Sequence, residues 1–182
     1  VGDASLRGPK FGIACASFGA SGDYITLPNN PALSLGPDDF TIEFWIYSNT
    51  FANYCALYSK GPVGGANSLL LYQSVTNGLL VVYNSAAIIN ETGTPTIKTW
   101  DHIALVRIGT GLKLYRNGIQ TGSVTTSVNF NASGLTYISE DPTWTTAYYV
   151  NGYIDDYRIT RGVARYTGAF TPPTVAHPDS LF

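Results

Sequence analysis

Eight consecutive residues, Phe40-Thr41-Ile42-Glu43-Phe44-Trp45-Ile46-Tyr47, alternate two sets of side chains. Phe40, Ile42, Phe44 and Ile46 form one set, and Thr41, Glu43, Trp45 and Tyr47 form the other. A period of two places the sets on opposite faces of an extended strand, whereas a helix would scatter both around its circumference. The segment therefore needs a second apolar layer against its aliphatic face. Similar short runs recur at 68–73, 78–84, 100–108, 112–116, 135–139 and 153–160. Many short strands at such spacing predict an all-β fold, a two-sheet antiparallel sandwich.

The turns agree. Asn117-Gly118 separates Leu112–Arg116 from Ile119, and Asn-Gly accepts the positive φ angles of a two-residue hairpin. Asn77-Gly78 repeats the device between Leu69–Val75 and Leu79–Tyr83. Pro28, Pro31, Pro37, Pro62, Pro95 and Pro142 fall between the runs, where a missing N–H takes nothing from a ladder. No segment reads as a helix, and no internal repeat is present.

A length of 182 residues lies within the roughly 100–200 usual for one domain. Residues 1–182 thus read as a single sandwich, with 171–182 as a strap or linker, since Pro172, Pro173 and Pro178 prevent it from continuing a helix or a central strand. Only 12% of residues are charged, the net charge is −2, and Lys and Arg stand singly. That pattern offers no footprint for a phosphate backbone, so nucleic acid is not an expected partner. No apolar run approaches the roughly 18 residues of a membrane helix, and no membrane insertion is expected. Cys15 and Cys55 lie in apolar, strand-like surroundings and read as two buried thiols or as one bridge.

Two stretches, Phe18–Pro28 and Asp39–Ile46, look like the opening of laminin-G-like domains. Trp100–Arg107 followed by Leu112–Gly118 resembles the central hairpin of the same family. The ending, Asn151–Tyr166 with Phe170-Thr171-Pro172-Pro173, resembles the version found in bacteriophage tail and other virion surface proteins. The resemblance, to the concanavalin A-like lectin/glucanase superfamily, covers nearly the whole chain. It implies a jelly roll on a virion surface or outside the cell that attaches to cell-surface carbohydrate or to neighbouring virion proteins; a homo-oligomer is compatible with it. Relatives of this fold often hold one structural Ca2+ where the first and last strands meet, and Asp3, Asp23, Asp155 and Asp156 are the carboxylates expected to gather there. From the residues themselves, Asp155 or Asp156 reads first as an acceptor for nearby backbone or for Arg158, with calcium as the rival. Activity does not follow from a fold and has to be argued from a site.

Glycoside hydrolysis needs two carboxylates flanking one bond. The three glutamates, Glu43, Glu91 and Glu140, are far apart in sequence, and no strand shows a Glu-x-Asp-x-Glu pattern. An enzyme is therefore not expected. Glu43 either pairs with a basic side chain on the sheet face or accepts from a sugar hydroxyl. His102 reads as a strand residue making one ordinary hydrogen bond, and His177 as a tail residue. Arg158, Arg161 and Arg165, with Tyr157 and Tyr166, are expected to wrap the sandwich edge, the arginines paired with Asp155 or Asp156.

Sugar recognition favours an aromatic face for the ring and a few amides or carboxylates for its hydroxyls. The loop 140–151 mixes Trp144 and Tyr148 with Asp141 and Asn151, and the loop 49–54 sets Asn53 beside Tyr54. Both are ligand-binding candidates, while Trp45, Trp100 and several tyrosines are assigned to the core or a sheet face. The expected function is non-enzymatic surface binding. The alternatives are a structural decoration protein making only protein contacts, and a glycoside hydrolase.

Overall fold

The computed structural model of the chain describes residues 8–50, 54–62, 65–76, 78–91, 96–143 and 149–178. Two six-stranded antiparallel sheets face each other. In chain order the strands are β1 (Ala16–Phe18), β2 (Ile25–Leu27), β3 (Phe40–Thr50), β4 (Cys55–Lys60), β5 (Leu69–Ser74), β6 (Gly78–Tyr83), β7 (Ala86–Asn90), β8 (Trp100–Ile108), β9 (Gly111–Arg116), β10 (Ile119–Thr125), β11 (Thr136–Ser139) and β12 (Asn151–Arg161). One sheet runs β1-β12-β3-β8-β9-β10 and the other β2-β11-β4-β5-β6-β7. Among the described residues the one helical element is a short 3-10 turn, Pro31–Leu33.

The alternation in β3 decides the interior. Phe40, Ile42, Phe44 and Ile46 enter one buried cluster with Ile103 and Leu105 of β8, Leu112 and Leu114 of β9, and Leu57, Leu69, Leu71, Leu79 and Val81 of the opposite sheet. Between the pairs Asp155↔Trp45 and Arg158↔Glu43, β12 has two residues where β3 has only Phe44. Asp156, at φ 51, takes up the extra residue as a bulge. The bulge turns Tyr157 inward, where its ring stacks on Phe44 at 4.9 Å and its hydroxyl donates to the Leu57 carbonyl of the other sheet at 3.0 Å. One side chain thereby ties the two layers together.

Both predicted hairpins form. Asn117 and Gly118 have φ of 51 and 78, and β9 pairs directly with β10. Gly78, at φ 70, opens β6 against β5; Asn77 lies outside the described residues. The strands missing from the sequence reading are β1, β2, β4, β7 and β10. β1 and β2 have three residues, β10, which the Asn117-Gly118 turn implied but no pattern delimits, is a Gly-, Ser- and Thr-rich edge strand, and β4 is buried on both faces and so lacks a polar alternate.

The chain turns back over the outer face of the β3 sheet from Gly162, earlier than the expected start of the strap at Thr171. Thr41 donates from its hydroxyl to the Val163 carbonyl and accepts from the Arg165 N–H, each at 3.0 Å. Lys113 donates to the Thr167 carbonyl at 2.9 Å. Ala164, Tyr166 and Phe170 cover Ala104, Val106 and Tyr115, with the Tyr166 and Phe170 rings stacked at 3.5 Å. At the hairpin tip the Phe170 N–H donates to the Gly118 carbonyl at 3.0 Å, and a Cβ on Gly118 would lie 1.7 Å from the Phe170 oxygen.

Gly118 thus meets two demands at once, a left-handed turn and backbone contact with the strap. Gly118→Ala is expected to lower unfolding free energy by about 2–4 kcal/mol, whereas Gly168→Ala should stay within about 0.5 kcal/mol, because nothing lies within 4 Å of a Cβ at Gly168. Denaturant titration of the two variants checks the contrast.

Candidate functional site

Glu43 occupies the centre of the outer face of the β3 sheet, beneath the strap, with 0% of its side chain exposed. A charge removed from water must be paired or it is strongly destabilising. Arg158 donates to Oε1 from Nε at 2.9 Å and from Nη2 at 2.6 Å, and the Tyr166 hydroxyl donates to Oε2 at 2.7 Å. The Nε2 atoms of His102 and His177 each stand 3.5 Å from Oε2, and Arg165 Nε is 3.8 Å from Oε1. Burial alone would raise the Glu43 pKa, but hydrogen bonds from His102, Tyr166 and Arg158 outweigh it and hold the carboxyl down at about 2. Of the two sequence readings of Glu43, pairing with a basic side chain is the one present.

Several expectations around this carboxylate are corrected. Arg158 pairs with Glu43, not with Asp155 or Asp156, because the bulge puts Arg158 directly across the ladder from Glu43. Arg161 lies 3.7 Å from Asp38, and Arg165 donates to the Thr160 hydroxyl. His102 is a strand residue as read, fully buried, with its one polar contact from the ring directed at Glu43 and its ring edges against Trp45, Tyr166 and Phe170. His177 is more than a tail residue, since its N–H donates to Asp156 at 2.9 Å and its Nδ1 lies 2.8 Å from the other Asp156 oxygen.

The remaining acidic groups among the described residues are also engaged. Arg116 bridges Glu91, at 2.9 and 2.6 Å, and Asp101, at 2.7 Å. Glu140 accepts from the Gly22 N–H at 2.7 Å and the Ser21 hydroxyl at 3.3 Å. Asp141, a predicted ligand residue, is buried and accepts from the Ser59 hydroxyl and from the N–H and hydroxyl of Thr143, so it anchors its loop. Asp23 closes its own turn by accepting from Gly19 and Ala20 N–H groups, both at 2.9 Å. Asp155 accepts from the backbone of Phe11 at 3.0 Å and of Asp156 at 2.7 Å, the local role read from the sequence. Asp3 lies outside the described residues, and among those described no group of three or more His, Cys, Asp or Glu could hold a metal ion. Cys15 and Cys55 are free, with Cys55 buried and Cys15 partly so. Burial, with the Asp155 charge behind it, pushes the Cys15 thiol up.

A different arrangement appears further along the same outer face. Tyr153 of β12, Tyr47 of β3 and Trp100 of β8 are paired in register across three adjacent strands. Their rings form a row, with centroids 6.0 Å apart for Tyr153–Tyr47 and 5.6 Å for Tyr47–Trp100. Tyr47 is buried between Tyr153 and Trp100, which are half-buried. Asn49, the next residue of β3 on this face, donates to the Asn151 side chain at 3.2 Å. One described residue from each predicted loop thus meets the other here, and the Cys55 thiol of β4 donates to the Tyr149 carbonyl at 2.9 Å. Tyr54 is exposed in the turn just before β4. Asn53, Trp144 and Tyr148 lie outside the described residues. The sequence reading assigned Trp100 to the core or a sheet face and did not single out Tyr47 or Tyr153, because only the cross-strand register brings the three together.

With this frame in view, the relationship to known proteins is direct. A family model of the concanavalin A-like lectin/glucanases superfamily, Laminin_G_3, matches residues 18–171. The chain belongs to this superfamily. Among solved structures, it is similar to a Bacteroides ovatus protein proposed to bind carbohydrate, at a TM-score of 0.65 and 16% identity, over 84% of this chain and 45% of that one. It is also similar to the CBM40 of a Ruminococcus gnavus IT-sialidase bound to α2,3 sialyllactose, at 0.63 and 11%, over 88% and 95% of the two chains. Domain 4 of the Geobacillus stearothermophilus arabinanase AbnA, in complex with arabinotriose, matches at 0.61 and 17%, over 84% and 71%. The chain spans less than half of the Bacteroides ovatus chain. No curated protein sequence matches it. The superfamily accounts for the two-sheet frame, and the side chains on the outer face carry what is particular to this member.

Glu43 gives that face a measurable acid response. Its pKa of about 2 lies below the ordinary 4.5, so the charged form is favoured by folding. The resulting stabilisation is complete above the ordinary value and is lost as pH falls toward the folded one. Glu43→Gln is expected to cost about 3 kcal/mol at neutral pH. The variant should also lose much of the stability change across that acidic window, as followed by denaturant titration at stepped pH.

Proposed function

We propose that this protein is a non-catalytic carbohydrate-binding module whose binding face is the outer side of the β3 sheet at the Asn49–Asn151 end. The observation that carries the reading is the row Tyr153–Tyr47–Trp100 with Asn49 and Asn151 at its border. Flat rings receive the C–H face of a sugar, and amides at their edge can donate to and accept from hydroxyls. The rings stand on three neighbouring strands of a rigid sheet, so a ligand meets a surface already formed. Structures of similar fold holding sialyllactose or arabinotriose are compatible with the reading.

The acidic groups favour binding over hydrolysis. Glu43, Glu91 and Glu140 are 0%, 4% and 4% exposed, and each is held by donors of the fold. A hydrolase would need two carboxyls opposed across an open cleft. Display on a virion or other extracellular surface, with attachment to host glycans, is the finer form of the proposal. It rests on the likeness of the segment from Asn151 to Pro173 to virion surface proteins.

A glycan array probed with the whole chain, with and without a calcium chelator, tests this reading. Binding is expected, and Trp100→Ala and Tyr153→Ala should each weaken it about tenfold or more, with folding intact by circular dichroism. A larger loss in Trp144→Ala than in Trp100→Ala would move the site to the 140–151 loop. Loss of binding with chelator would assign a role to Ca2+. No glycan bound under either condition would leave protein contacts as the function, and release of reducing ends would make the chain an enzyme.

A further inference from the structure

The row continues beyond Tyr47. Two residues earlier on the same face of β3 stands Trp45, about 7 Å away by strand rise and paired with His102 on one side and Asp155 on the other. Its surroundings differ from those of the other rings. Lys10 places its ammonium 3.8 Å from the Trp45 ring centroid, and Phe11 meets the ring edge-on at 6.0 Å and 88°. Asp155 Oδ2, directly opposite, receives the Phe11 N–H at 3.0 Å. The Trp45 indole N–H is buried without an acceptor, which is costly in a folded protein.

The segment that covers Trp45 is lightly held. Residues 8–13 join neither sheet, Ile13 is fully exposed, and ladder pairing begins only at Ala16↔Ile154. Among the described residues, the Phe11 N–H to Asp155 bond ties this segment to the sheet. In chemical terms the segment presents an ammonium to an indole face and an N–H to a carboxylate, while leaving an indole donor unused.

We propose that Trp45 and Asp155 form a seat for a protonated amino group carried on a sugar ring, occupied in this structure by Lys10. An amino sugar offers what the seat lacks and has: an ammonium for the indole face, N–H donors for Asp155, and a hydroxyl oxygen to accept the orphaned indole N–H. The proposal rests on the carbohydrate reading above and names its ligand class, a glycan with free amino groups lying along the row from Trp100 to Trp45. Lys10, tethered a few residues from β1, competes as an intramolecular ligand and lowers apparent affinity.

Titration calorimetry with oligomers of β-1,4-linked glucosamine and their fully N-acetylated counterparts tests the seat, using the whole chain and its Lys10→Gln form. The expected result is that Lys10→Gln binds the glucosamine oligomer about fivefold tighter than the unmodified chain and the acetylated oligomer equally. Asp155→Asn, which keeps the acceptor for Phe11, should remove that gain. An equal change for both oligomers, no change for either, or no binding of the glucosamine oligomer to either form would overturn the seat. Trp100→Ala separates the two readings. If it abolishes binding while Lys10→Gln has no charge-specific effect, the row stands and the seat is wrong; if it changes nothing while the gain persists, the seat stands and the row is wrong.

Discussion

The constraint on which the structure depends is the two-sidedness of β3 at the middle of its sheet. Its aliphatic and phenyl side chains have no alternative to the opposite sheet, since a slip of one residue would send Glu43 and Thr41 into the core and Ile42 and Phe44 onto the surface. That penalty fixes the registers with β8 and β12 together. Once they are fixed, everything on the outer face has an address: Tyr47 beside Trp100 and Tyr153, Trp45 beside His102 and Asp155, and Glu43 across from Arg158.

Covering the outer face creates an electrostatic demand. The strap buries Ala104, Val106 and Tyr115 but also takes Glu43 out of water. The charge survives because Arg158 comes from the neighbouring strand, Tyr166 and His177 come from the strap, and His102 comes from β8. Burial, and after it the hydrogen bond to Glu43, makes the Tyr166 hydroxyl harder to ionise. The same carboxylate thus connects three segments far apart in the chain. A structural duty of this kind leaves it poorly placed to move protons for a substrate, and the same holds for Glu91 and Glu140 in their own networks.

Function in such a fold falls to what is left over. The acidic groups hold loops and edges, while Tyr153 and Trp100 flank the buried Tyr47 at one end of a sheet with two amides beside them. Rings fixed by strand pairing lose little freedom when a ligand arrives, which makes a sheet face a suitable place for weak, repeated contacts with a sugar chain. The covering of Trp45 by Lys10 and Phe11 shows that this face already accommodates a cation and a ring.

The strand class, the hairpin at Asn117-Gly118 and the main core positions were legible in the sequence, because period-two alternation and left-handed turn residues are local signals whose physical cause lies within a few residues. The partners of Glu43, the bulge at Asp156, the inner strand β4 and the edge strands β1, β2, β7 and β10 were not, since short edge strands take their form from what they pair with and β4, buried on both faces, shows no alternation. Of the candidate loops, Asn151 and Asn49 meet, while Asp141 turns inward to hold its own loop. What only the tertiary structure decided is which aromatics share a surface. Tyr47, Trp100 and Tyr153 are separated by more than fifty residues at each step, and no local rule relates them. Ladder register between distant strands alone brings the rings together.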